Sequence, residues 1–254
     1  MSHHVIRMAA AAAVALLAQV ATASAAEVKL YSTVAFQGVL DELAPQFQKA
    51  TGNKLTITYG LAAQLAQRIQ SGEAADVAIL TRAGIDTLVK DGKIAAKSDA
   101  TLASASMALA AKAGAPKPDI STPEAFKRAL LAAKSIASGD PAGGGASSVY
   151  FSKLLDRMGI AEEVKGKMKI APSGKLPAAL VAAGDAELGA MQTSELLPGT
   201  ELVGVFPGDL NNVTVFALGL TTNASDTNAA GALITFLESK EAAAVYKAKG
   251  LYPN

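Results

Sequence analysis

Arg82 stands just past the short apolar run Asp76–Leu80. If that run is a strand whose carboxyl end opens on a cleft, the planar guanidinium there suits a carboxylate, which it grips through two parallel N–H···O bonds. Lys175, in Ser173-Gly174-Lys175, adds a candidate point charge from elsewhere in the chain, and Arg68, in the middle of a helical pattern, is a weaker one. Each has an ordinary alternative: Arg82 as a solvated residue at a helix start, Lys175 as an exposed lysine. Ser32 and Thr33 are either ligand hydroxyls or strand hydroxyls satisfied internally.

A second candidate is made of backbone. The loop Gly139-Asp140-Pro141-Ala142-Gly143-Gly144-Gly145-Ala146-Ser147-Ser148 has three consecutive glycines, which allow close approach and positive φ, followed by two serines and a helical pattern. Such a loop forms an amide-rich nest that can receive an anion at Gly145, Ser147 and Ser148. It lacks the Gly-Lys-Ser/Thr ending of a phosphate-binding P-loop and the spacing of a dinucleotide fingerprint. The alternative is a flexible connector. Tyr150 and Phe151 are expected in the core, Tyr150 with the option of lining the cleft.

Composition removes most other chemistry. The chain has no Cys and no Trp, and its two histidines are His3 and His4. Arg7, the apolar run Met8–Val20 and Ala23-Ser24-Ala25 form a secretory signal peptide with its cleavage signal. Cleavage near Ala25 removes both histidines, so histidine triads, thiol catalysis and Cys/His metal sites are excluded, and no catalytic residue, metal or cofactor is assigned. Proton transfer is left to Asp, Glu, Lys or Tyr. The same cleavage removes Arg7 from 23 Lys+Arg and leaves 22 Asp+Glu untouched, so the mature chain is neutral. Neutrality gives no field for nucleic acid and no polybasic membrane patch, and no later run is long enough to insert in a bilayer. The expected place is the periplasm, the expected state a monomer.

The elements that must hold these residues alternate. Runs Val28–Thr33, Lys54–Tyr59 and Asp76–Leu80 read as strands between helices Gln37–Thr51, Ala62–Ser71 and Gly84–Asp91. A βαβαβ order makes the strands parallel and buried on both faces, which explains their lack of charge. After Lys97 an Ala/Ser-rich run, Ala100–Ala111, marks a crossing between lobes. A second unit follows: helix Pro123–Ala133, strand Ser135–Ser138, helix Ala146–Gly159, strand Lys169–Ala171, helix Leu176–Gly184 and strand Glu187–Gln192. The chain returns through Glu201–Phe206 and Val213–Leu220 and ends on helices Thr227–Ser239 and Glu241–Lys249.

The run Tyr31-Ser-Thr-Val-Ala-Phe-Gln-Gly-Val-Leu-Asp-Glu-Leu-Ala-Pro-Gln-Phe47, then Thr51-Gly52, Ala62-Ala-Gln-Leu-Ala-Gln-Arg-Ile-Gln-Ser-Gly72 and Ala75-Asp76, resembles the periplasmic molybdate-binding protein family. Gly139-Asp140-Pro141, Leu188-Gly189 and the closing Ala242–Gly250 helix extend the likeness over nearly the whole mature chain. It implies the type II periplasmic binding protein fold, an α/β class in which each of two lobes is a mostly parallel sheet flanked by helices, with the ligand cleft between them. The corresponding bounds are 1–25 for the signal peptide, 26–103 and 205–254 for the first lobe, and 104–204 for the second. An ABC importer permease is the implied partner and a small anion the implied ligand.

At the ligand positions the likeness breaks down. Where that family places a serine after the first strand, this chain has Ala35; where it has a serine-rich stretch it has Gly60-Leu61-Ala62-Ala63; where it has a tyrosine it has Gln192. Where it has an acidic residue, Arg82 stands. Backbone amides at Ala35–Gln37, through Phe36, at Ala62–Gln64 and at Ala146–Ser148 remain to hold an anion. The expectation is a periplasmic solute-binding protein for a di- or tricarboxylate. Periplasmic aconitate isomerases resemble the same family, so an enzyme catalysing a 1,3-proton shift is a second reading, and a molybdate or tungstate carrier using backbone donors a third.

Overall fold

The computed structural model describes residues 25–171 and 176–254. The expected signal peptide, apart from Ala25, and the expected cation Lys175 fall outside those residues.

The first unit runs β1 (Glu27–Thr33), α1 (Gln37–Thr51), β2 (Lys54–Gly60), α2 (Ala62–Gln70), β3 (Val77–Thr81) and α3 (Arg82–Lys90). In α1, Val39, Leu40, Leu43 and Phe47 recur at three- and four-residue steps and are all buried, and the helix stops at Gly52, whose φ of 75° suits glycine. β1 lies between β2 and β3, parallel to both, as the helical crossovers require. Asp76, just ahead of β3, is buried; its carboxylate accepts from the Lys29 N–H at 2.7 Å and from the N–H and hydroxyl of Ser225 at 2.6 and 2.9 Å. That carboxylate ties the sheet to the chain's C-terminal third, so its role is structural.

Next comes β4 (Ala100–Lys112), followed by α4 (Pro123–Ala132), β5 (Ile136–Ser138), α5 (Ala146–Arg157), α6 (Ala161–Lys165), β6 (Met168–Ile170), α7 (Pro177–Ala183) and β7 (Leu188–Gln192). The chain closes with β8 (Thr200–Val205), β9 (Val213–Leu220), α8 (Thr227–Leu237), α9 (Lys240–Ala248) and β10 (Tyr252–Pro253). α6 and β10, too short for a periodic signal, were not anticipated. β5 is parallel to β6 and β7.

The Ala/Ser-rich run placed at the crossing is the long strand β4. Its first half, to Ser106, pairs with β9; its second half, from Met107, pairs with β7 and β8. One strand therefore belongs to both halves of the sheet order β2-β1-β3-β9-β4-β7-β5-β6. The return crossing lies beside it, since Met107 donates to the Asn212 carbonyl at 2.9 Å and accepts from the Phe206 N–H at 3.0 Å. Small side chains suit a strand that must thread between two packed layers.

Each lobe has its own core. In the first, Phe36 packs edge-on against Phe216 and Tyr246, with centroids 5.3 and 5.7 Å apart. In the second, Phe206 packs against Phe126 and Phe151 at 4.6 and 5.9 Å. With no disulfide available, this burial, worth about 1.5–3 kcal/mol per large side chain, carries the stability.

Candidate functional site

A cavity of about 120 Å³ lies between the lobes, at the carboxyl ends of β1, β3 and β7. Its walls include the first turns of helices from both sides: the 3-10 turn Val34–Phe36 that leads into α1, and the N-termini of α2, α5 and α7. None of these four has a side-chain cap; their N-cap residues are Thr33, Leu61, Gly145 and Leu176. The long helices that begin elsewhere are capped in the ordinary way, α4 by Thr122, α8 by Asp226 and α9 by Ser239, and α3, which starts at the cavity's edge, is capped by Thr81. Four helix starts at the cavity thus lack a side-chain cap, while those remote from it have one. Uncapped first-turn N–H groups and the positive ends of the helix dipoles favour an anion.

Hydroxyls add to the donors. Thr33 is buried on the wall and its hydroxyl makes no hydrogen bond among the described residues. Thr81 accepts from the Gly84 N–H at 3.2 Å, which leaves its own O–H to donate into the cavity. Ser147 lines the opposite wall. Ser148 lines it too, but its O–H is directed to the carbonyls of Gly145 and Asp140 at 3.0 and 3.2 Å. Gln64, exposed on α2, adds an amide at the mouth.

The third wall carries the one arrangement not foreseen in the sequence. Gln192 ends β7 and is buried; its side-chain oxygen accepts from the N–H of Glu195, and its Nε2 donates to the Thr214 hydroxyl of β9 at 2.8 Å. Glu195 returns the cap, Oε2 accepting from the Gln192 N–H at 3.0 Å. The Glu195 side chain is 5% exposed and lines the cavity. Burial pushes its carboxyl up to about 7, against the pull of the single backbone N–H. The signal that could have found it is the Gln-x-x-Glu spacing after a buried strand, the pattern of a reciprocal cap.

The glycines of the second lobe meet the first lobe directly. A Cβ on Gly143 would stand 2.7 Å from Leu61 Cδ1, one on Gly144 3.0 Å from Ala63 Cβ, and one on Gly145 3.3 Å from Leu61 Cδ2. The loop therefore closes over the N-terminus of α2, and its lack of side chains is what permits the approach.

Of the residues expected at the site, Thr33, Ala62, Gly145, Ser147, Ser148 and Gln192 line the cavity. Ala35 and Phe36 are packed in the first core. Ala63 sits at the interlobe contact. Arg82 does not line the cavity: its guanidinium bonds Asp86 and Asp99, at 2.7 and 2.8 Å, on the outer side of α3. Two carboxylates nearby hold it more strongly than an open cleft would. Arg68 is likewise engaged, bonded to Glu73 and stacked over Tyr31. Ser32 is satisfied internally by the Thr33 carbonyl. Among the described residues the wall has no Lys or Arg, and its ionisable groups are Asp140 at the rim and Glu195 inside. No cluster of metal-ligating side chains occurs among the described residues.

Residues 28–252 match the family described as Bacterial extracellular solute-binding protein. Over 230 residues, 87% of this chain and 86% of the other, it is 36% identical to a Pseudomonas sp. protein named aconitate isomerase. It is 31% identical to the molybdate-binding protein ModA of Azotobacter vinelandii, over 98% of both chains. The solved Azotobacter vinelandii periplasmic molybdate-binding protein superposes with a TM-score of 0.74 at 21% identity, over 88% of this chain and 98% of that one. The two-lobed fold read from the motifs is the fold of that protein.

Proposed function

We propose that this chain, which belongs to the bacterial extracellular solute-binding proteins, takes a small di- or tricarboxylate into the cleft between its lobes and isomerises it by a 1,3-proton shift. The activity is the one named for its Pseudomonas sp. relative, aconitate isomerase. The observation that supports this reading is the size and lining of the cavity. At about 120 Å³ it offers hydroxyls, an amide and first-turn N–H groups on walls from both lobes, spread more widely than the four oxygens of one tetrahedral oxyanion would need. Uncapped N–H groups from both lobes would meet the carboxylates at either end of a di- or tricarboxylate.

A second reading, capture of the same anion by a monomer for an importer permease, is favoured by the family itself and by the molybdate-binding relatives. One experiment separates them. Melting is followed with molybdate, tungstate, sulfate, phosphate, citrate and the aconitates, and the wild-type protein is incubated with cis- and trans-aconitate while their interconversion is read by chromatography. A carboxylate at a hundred times its dissociation constant stabilises by about 2.7 kcal/mol. Stabilisation without interconversion supports the carrier. Nanomolar molybdate binding with no response to carboxylates overturns both.

A further inference from the structure

We propose that Glu195 is the catalytic base of the site, the group that removes a proton from the bound carboxylate and returns it one allylic position away; this rests on the isomerase reading above.

The placement is hard to explain by capping alone. A cap needs one carboxylate oxygen, and capping residues ordinarily keep the other in water. Here the side chain is 5% exposed, only Oε2 is bonded, to one backbone N–H, and the other oxygen has no hydrogen bond among the described residues. Withdrawing a carboxylate from water for one such bond costs more than it returns. A capping residue facing solvent avoids that cost, so the sequence accepts an unfavourable burial on a wall of the interlobe cavity. Among the described residues nothing charged offsets it: the wall that it lines also carries Thr33, Gln192 and Phe216, none of which titrates in the working range. Asp140, at the rim, is the other carboxylate on the wall. The resulting value near 7 places the group where a general base works best.

The step balances without a co-reactant. The Glu195 carboxylate takes a proton from the methylene carbon beside the double bond. The C–H electron pair enters the allylic system and spreads into the adjoining carboxylate, whose added charge faces the first-turn amides. The resulting carboxylic acid of Glu195 gives the proton to the far allylic carbon, and the double bond has moved by one position. No water is consumed and nothing is oxidised.

The test compares wild type with Glu195→Gln, which preserves shape and an acceptor for the Gln192 N–H, and with Glu195→Asp. Three readouts are taken: aconitate interconversion, exchange of the methylene hydrogens in D₂O by NMR, and affinity for trans-aconitate by calorimetry. Glu195→Gln should lose turnover and exchange by about 10²- to 10⁴-fold while binding at least as tightly as wild type, because a neutral amide does not repel the anion. The wild-type kcat/KM should rise through a pH of about 7, a limb that Glu195→Asp shifts. Turnover by Glu195→Gln within tenfold of wild type overturns the assignment and leaves the isomerase reading intact. Wild-type protein that binds trans-aconitate with neither interconversion nor exchange overturns both.

Discussion

The Gln192 amide nitrogen lies 2.8 Å from the Thr214 hydroxyl oxygen, in a buried contact that joins the last strand of the second lobe to the return strand of the first. The same amide, through its oxygen, holds the N–H of Glu195. Thr214→Val keeps the volume but leaves the Gln192 donor unpaired, which should cost about 1–3 kcal/mol. In a chain of this size that is a fall of roughly 2–10 °C in Tm. Calorimetric melting checks it; an unchanged Tm would show that the amide finds another partner.

Arg82→Ala should leave affinity for the best carboxylate within about twofold, because the guanidinium is committed to Asp86 and Asp99. Its partly exposed ion pairs are worth less than about 1 kcal/mol of stability. Titration calorimetry on the variant decides between this placement and a role for Arg82 as the ligand's clamp; a loss of thirtyfold or more favours the clamp.

Gly143→Val should hold the cleft open. Its side chain meets Leu61 across the lobes, where even a Cβ stands 2.7 Å away. Affinity should drop at least tenfold with Tm of the ligand-free protein nearly unchanged, and small-angle scattering should show that ligand no longer compacts the molecule. Wild-type affinity in this variant means that the loop yields.

The ligand-free protein should lose stability as pH rises from about 4.5 to about 7, and Glu195 is the cause. Unfolded, its carboxyl titrates near 4.5; folded, near 7. Below 4.5 both states hold the proton and the contribution is complete. Between the two values the unfolded chain sheds its proton while the folded one must keep it or bury a charge, so about 3 kcal/mol is lost by pH 7. Urea unfolding of wild type and Glu195→Gln across this range checks the sign, since the variant should lack this slope.

The mature protein should be recovered from the periplasmic fraction with its N-terminus near Ala26, and should melt identically with and without reductant, as a chain with no Cys must. Full-length chain in the membrane fraction is the contrary outcome.

Local patterns determined a good deal of this. Val39, Leu40, Leu43 and Phe47 specify a helix and its buried face whatever surrounds them, and Val213–Leu220 is legible as a strand from its apolar run. The order of such elements, with the landmarks at Tyr31–Phe47 and Ala75-Asp76, sufficed for the two-lobed fold. The uncapped starts of α2 and α5, at Ala62 and Ala146, were legible too, because unsatisfied first-turn amides follow from helix geometry alone. The partner of each charge did not follow. Arg82 is bound to Asp99, seventeen residues on, and the cleft loses it. Glu195 becomes a buried acid because Thr33 and Phe216, both distant in sequence, share its wall of the cavity. A carboxylate's titration depends on what surrounds it in three dimensions, and only the folding of β1, β7 and β9 onto one another supplies that.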